Sequence, residues 1–256
     1  MRKIKGIATV EPAFNLPAVW IPDERKEEAK LAGYTVVDSV TIMTTHLTEV
    51  IRKYASELLG RQDVQNLLDN LAERYPKVVE ELVPKHLSLG GVQKVLQNLL
   101  QEHVSIKDML TVVETLADYA PITKDPDVLT EYVRHKLSRS ILSPFLDENG
   151  VLYLITMAPD AEALLVKGLQ KTEHGIYLSL EPKATETIIR SVKQQMEKAM
   201  VNNIQPIIMT SPLIRRHFRK MIETFLPSVM VMSQSELLND IRFKSIGEVS
   251  LHDASA

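Results

Sequence analysis

The chain has 256 residues and a mass of 28.9 kDa, which suggests two domains or several subdomains at ~100–200 residues per domain. Its 30 Lys+Arg against 33 Asp+Glu leave a net charge of -3, and aromatic residues are 5%, so it has neither the basic field nor the stacking platform of a nucleic-acid binder. Cysteine is absent, which removes disulfides, thiolate zinc sites, iron–sulfur clusters and cysteine nucleophiles.

No apolar run approaches the ~18 residues of a membrane span, and no signal-peptide core follows the basic start MRKIKG. Pro12, Pro17 and Pro22 then punctuate a turn-rich stretch that leaves room for a short strand over 18–21. Asp23 reads as the N-cap of a helix over 24–31 that ends at Gly33. Residues 34–38 read as a second strand, completing a β–α–β unit with a parallel pair.

From Ser39 to about residue 140 the pattern is helical. Met43, Leu47, Val50, Ile51, Tyr54 and Leu58 keep a 3.6-residue period up to Gly60. Val64, Leu67, Leu68 and Leu71 line a second helix, and Pro76 opens a third that ends at Pro84. Ser88 caps a fourth, with Val92, Val95, Leu96, Leu99 and Leu100 on one stripe. Ser105 and Asp108 fit a capping box for a fifth, whose buried face is Met109, Val113, Leu116 and Ala117. A sixth runs from Asp127 to about Ser140.

In the final third, 151–157 reads as a strand, 159–169 as a helix and 171–177 as a loop. A helix over 184–200 precedes a second β–α–β unit over 204–209, 213–225 and 229–232, and 241–249 reads as an edge strand. The fold class is therefore α+β or α/β with several subdomains: a β–α–β start, a helical middle and an α/β end.

Catalytic, cofactor and metal motifs do not emerge. His46 and Glu49 share a helix face, yet two ligands do not make a site, and a surface contact is the plainer reading. Gly90-Gly91 before a helix lacks any phosphate-loop pattern and reads as a tight helix start. Arg215, Arg216, Arg219 and Lys220 read as the solvated face of the 213–225 helix, with an acidic partner as the alternative. Leu58, Leu59, Leu82, Leu87 and Leu89 cluster at helix ends, either as core or as a groove for a partner helix.

Several segments are specific in their wording. Glu11-Pro12-Ala13-Phe14, residues 16–21, Gly33-Tyr34-Thr35-Val36-Val37-Asp38 and Thr45-His46-Leu47 come first. Residues 57–62, 81–84, 92–100, 104–108 and 115–118 follow in order. Together they resemble the C-terminal cytoplasmic domain of the type III secretion export-gate family, in its flagellar (FlhA) branch more than its injectisome branch. The match is dense over 11–139 and looser beyond.

The resemblance implies a docking platform with no catalytic residue, cofactor or metal. It implies a ring of copies at the cytoplasmic face of the bacterial inner membrane, in a full-length protein that is itself membrane-embedded. Its partners would be flagellar export chaperones with their substrates and other export-apparatus proteins, with substrates handed to the membrane channel. A ring-building module with little cargo contact is the alternative. Family subdomains would fall at 1–38, 39–83, 84–103 (returning to the first), 104–183 and 184–256, with the chain expected to begin inside the first, after its opening strands. The family's chaperone site maps onto Leu59, Leu82, Leu87 and Gly90.

Overall fold

The computed structural model describes residues 4–13, 16–172, 175–202 and 204–251; Phe14 of the opening motif, His174 and His252 lie outside the described residues. The chain divides into two compact units, Met1–Gly60 and Arg61–Ala256.

In the first unit, β1 (Ile7–Val10) and β2 (Pro17–Trp20) pair antiparallel, with Ile7 opposite Trp20 and Val10 opposite Pro17. A 3-10 turn over Asp23–Arg25 leads into α1 (Lys26–Leu31). Asp23 does not cap it: Pro22 flanks the turn and no side chain caps that end. Gly33 takes a left-handed φ of 85°, and the Tyr34 N–H donates to the Ala29 carbonyl at 3.1 Å, a helix stop built on glycine's freedom at positive φ.

Residues 34–38 are irregular rather than a strand, so the expected β–α–β unit with its parallel pair is not formed there. A strand exists only where a ladder receives its backbone groups, and among the described residues no strand pairs with 34–38. Asp38 instead opens α2 (Ser39–Leu58), its Oδ1 accepting from the Thr41 N–H at 2.8 Å. That hydrogen bond holds the Asp38 carboxyl below its ordinary range.

The second unit begins with a helical layer: α3 (Arg61–Ala72), α4 (Pro76–Leu82), α5 (Leu89–Gln101), α6 (Met109–Tyr119) and α7 (Pro126–Lys136). Their apolar stripes meet in a core that includes Val64, Leu68, Val92, Val95, Leu99, Val113, Leu116, Leu129 and Val133. Ser88 caps α5 as its position foretells, accepting from the Gly91 N–H at 3.1 Å. At α6 the cap is Asp108, which accepts from the Thr111 N–H at 3.1 Å. Ser105, expected to share a capping box, lies three residues before that cap and accepts from the Lys107 N–H at 3.4 Å. Tyr119 and Tyr132 stack between α6 and α7 with ring centroids 3.9 Å apart.

After α8 (Ser138–Leu142) comes an α/β layer: β3 (Val151–Met157), α9 (Pro159–Lys167), β4 (Leu169–Thr172), β5 (Gly175–Leu178), α10 (Pro182–Val201), β6 (Ile207–Thr210), α11 (Arg215–Ile222), β7 (Val231–Ser233) and β8 (Arg242–Val249). Four strands form a parallel sheet in the order β7-β6-β3-β8, so β8 is the edge strand anticipated. Near-continuous apolar runs in β3 and β6 are what a parallel sheet covered on both faces requires. β4 and β5 pair as an antiparallel hairpin where a loop was expected.

The subdomain boundary expected at 183/184 runs through one core. Ile155, Ala161 and Leu165 pack with Ile188, Val192, Phe218, Ile222 and Val231. A central strand cannot be buried without helices contributed from both sides of that boundary.

Candidate functional site

Of the four residues expected to line a partner groove, the structure separates two pairs by exposure. Leu82 is 0% exposed and Leu87 is 6%; both side chains are core, and neither offers surface to a partner. Leu59 and Gly90 are half-buried.

The local geometry explains the buried pair. α4 ends at Leu82, whose carbonyl accepts from the N–H groups of His86 and Leu87, each at 2.9 Å. Lys124 Nζ reaches across to the His86 carbonyl. This folded-back turn drives Leu87 beneath the start of α5, where a Cβ on Gly91 would stand 2.7 Å from Leu87 Cγ. Gly91 is glycine because Leu87 fills its side-chain space. Gly90 differs: a Cβ there would meet nothing nearer than Arg61 Nη2 at 3.7 Å. Gly90 therefore marks a small open place beside a guanidinium.

In the first unit, α2 buries none of its residues. Val40, Met43, Leu47, Val50, Ile51, Tyr54 and Leu58 are all exposed, at the three- and four-residue steps of one helix face. The structure leaves this contiguous apolar stripe on a 20-residue helix uncovered. Leu59 continues directly from it.

The basic cluster divides: Lys220 is exposed and Arg216 half-buried, as a solvated face requires, but Arg215 and Arg219 are buried. Arg215, Phe218, Arg219 and Ile222, spaced i, i+3, i+4 and i+7, are the four buried residues of α11. Arg215 Nε donates to Glu131 Oε2 at 2.7 Å, and its Nη1 and Nη2 grip Glu102 at 2.5 and 3.0 Å. Glu102 also pairs with Arg134 Nη1 at 3.0 Å, and Arg134 Nη2 pairs with Glu236 Oε1 at 3.0 Å. Glu236 is fixed in turn by the Ser233 N–H at 2.7 Å. Arg219 donates to the Pro227 carbonyl at 2.8 Å. Sequence reasoning missed this junction. Its signal was that Arg134 shares core spacing with Thr130, Val133 and Leu137, as Arg215 and Arg219 do with Phe218 and Ile222.

Burial alone would push the Glu102 carboxyl up, but the Arg134 and Arg215 guanidinium groups outweigh it and hold it down to about 2. At Glu131 burial prevails over Arg215, and its carboxyl is raised above 4.5. The two therefore bias stability in opposite directions. Glu102 contributes stability that is fully present above its ordinary 4.5 and is lost as pH falls toward 2. Glu131 gives up stability as pH rises past its ordinary 4.5. Urea unfolding followed from neutral pH to pH 2 is expected to lose up to about 3 kcal/mol in the acid window. Glu102→Gln should lack that loss; parallel curves for the two proteins would place the acid sensitivity elsewhere.

Among the described residues, no group of three or more His, Asp or Glu is placed to hold a metal ion, and no helix is long and apolar enough to cross a membrane.

Comparison with known proteins gives a consistent result. The FHIPEP family profile matches residues 1–242. The flagellar biosynthesis protein FlhA of Bacillus subtilis is 45% identical over 248 residues, covering 97% of this chain and 37% of the relative. The chain thus spans about a third of the length of the curated relatives it matches. Among solved structures, nonameric EPEC SctV-C superposes with a TM-score of 0.77 at 33% identity, covering 89% of this chain and 68% of that one. The Chlamydia pneumoniae CdsV protein in complex with CdsO gives 0.80 at 27% identity, covering 91% and 68%. The mixed helical and parallel-sheet fold is the fold of these neighbours.

Proposed function

The chain belongs to the FHIPEP family, and from that premise we propose that it is a cytoplasmic docking part of a flagellar type III export gate. It receives export chaperones bound to their substrates and passes the substrates toward the membrane channel. The observation that carries this reading is the unburied apolar face of α2, which runs into Leu58 and Leu59. Such a face binds protein chains; it offers no group for making or breaking bonds. Recognition is of the helix-in-groove kind, in which apolar anchors supply affinity and flanking polar groups fix register. Each anchor contributes about 1.5–3 kcal/mol when buried. Several modest anchors suit a platform that must let its cargo go.

Leu59, in the first unit, and Gly90, in the second, are each half-buried. Leu87 packs against the α5 start at Gly91, and Leu82 is enclosed in the helical layer. Titration of a purified flagellar export chaperone–cargo complex against the chain tests the reading. Leu59→Asp is expected to weaken binding at least about 10-fold, the loss of a single anchor. Equal affinity for parent and variant would remove Leu59 from the surface.

Relatives solved as nonamers favour assembly of copies into a ring, and sedimentation across a concentration series measures it. A ring that forms without any chaperone binding would support the second reading, a structural module.

A further inference from the structure

Among the described residues, four buried side-chain polar atoms have no hydrogen-bond partner, and three of them meet at one pair: Arg134 Nε and Nη1, and Glu236 Oε1. The fourth is Arg219 Nη1. Proteins seldom leave buried polar atoms in this state, because each one costs its desolvation.

The two fully enclosed arginines of the junction differ in this respect. A guanidinium has five N–H donors. Arg215 directs its donors to Glu102, Glu131 and the Val231 carbonyl through five hydrogen bonds. Arg134 is just as deeply buried, yet it makes one, from Nη2 to the Val231 carbonyl at 3.2 Å. Its contacts to Glu102 Oε2 and Glu236 Oε1, both at 3.0 Å, are ion pairs that lie off the N–H directions. Glu236 is not free to turn and correct this. Its Oε2 accepts from the Ser233 N–H at 2.7 Å and from Ser233 Oγ at 3.1 Å, and a carboxylate turned onto the guanidinium would break that capping box.

The group that completes this place must accept from an N–H and donate to a carboxylate oxygen beside it. An anion does only the first, and a metal ion would face a guanidinium. The charges are already balanced, with Glu102, Glu131 and Glu236 against Arg134, Arg215 and Arg219. Water does both.

We propose that an internal water is a constituent of the junction, accepting from Arg134 Nε–H and donating to Glu236 Oε1. Nε–H and one Nη2–H leave a guanidinium along the same edge, and Glu236 Oε1 lies against Nη2, so a single water reaches both. Internal waters of this kind make two to four hydrogen bonds and are costly to remove. This one ties α7 to the cap after β7, where the two side chains do not align directly. The inference is independent of what the α2 face binds.

Proton–nitrogen spectra of the arginine Nε groups read this in the intact chain, with Arg134 Hε assigned through its own side-chain carbons. Arg134 Hε is expected to be visible and to give water cross-peaks of opposite sign in the laboratory and rotating frames, the mark of a water held in place. Arg139, whose side chain is 72% exposed, is the control and should show exchange with bulk water only. A crystal structure should place the water oxygen about 2.7–3.2 Å from both Arg134 Nε and Glu236 Oε1. A protected Arg134 Hε without contact to water overturns the inference, since the carboxylate has then closed on the guanidinium directly. An Hε that exchanges as fast as that of Arg139 overturns it too, because the place is then open to solvent. A water on Nε alone, out of reach of Glu236, overturns the bridge.

Discussion

Phe218→Ala is expected to lower the unfolding free energy by about 3–5 kcal/mol, the range for truncating a large aromatic side chain in a packed core. Phe218 is fully buried on α11 and packs in the one apolar cluster that joins β3, α9, α10, β6 and β7. Removing its ring leaves a cavity facing several elements at once, and the sheet on one side cannot collapse into it without breaking its ladder. For a chain of this size each kcal/mol shifts the melting temperature by roughly 2–4 °C, so scanning calorimetry should find a large drop. Phe243→Ala makes the same chemical change on β8, where the ring is 61% exposed. It should cost within about 0.5 kcal/mol of nothing. Equal losses in the two proteins would mean that α11 is not packed as described.

The second large effect lies at the turn between α4 and α5. Leu82→Ala is expected to cost about 2–5 kcal/mol, because the side chain is wholly enclosed in the helical layer. Gly91→Ala should cost about 1–3 kcal/mol through overpacking, since the new methyl meets Leu87 Cγ at 2.7 Å and the buried Leu87 side chain must shift to admit it. Its neighbour gives the contrast: Gly90→Ala meets nothing closer than 3.7 Å and should be neutral or slightly stabilising, as alanine favours the helix. Urea denaturation of the three proteins orders them directly. A neutral Gly91→Ala would show that Leu87 is not held in place. This ordering also governs any binding experiment. A chaperone lost with Leu82 or Leu87 variants would be lost with the fold, whereas Leu59→Asp and changes at Gly90 act at half-buried positions.

Much of the secondary structure was legible before any coordinates. The 3.6-residue stripes located α3, α5 and α10, Ser88 announced its cap, and short apolar runs marked β3 and β6. These signals are local: a helix face or a capping side chain is complete within a few residues of sequence. The family resemblance, carried by words such as Gly33-Tyr34-Thr35-Val36-Val37-Asp38, was equally local.

The misreadings share the opposite character. Residues 34–38 have strand composition and no strand, 171–177 reads as a loop yet contributes to the β4–β5 pair, and β1 lies in a basic start. Whether a segment is a strand depends on a partner elsewhere in the chain. Leu59, Leu82 and Leu87 look alike at helix ends, yet only packing decides which of them faces water. Arg215 is the sharpest case. Its own helix suggests a charge in solvent, and its burial becomes tolerable only because Glu102, 113 residues away, arrives beside it. Chain-local patterns therefore decided the helices, caps and kinship of this protein. Pairing, burial and the charged junction were decided by contacts between distant residues, because desolvation is offset only by the partner that folding brings into reach.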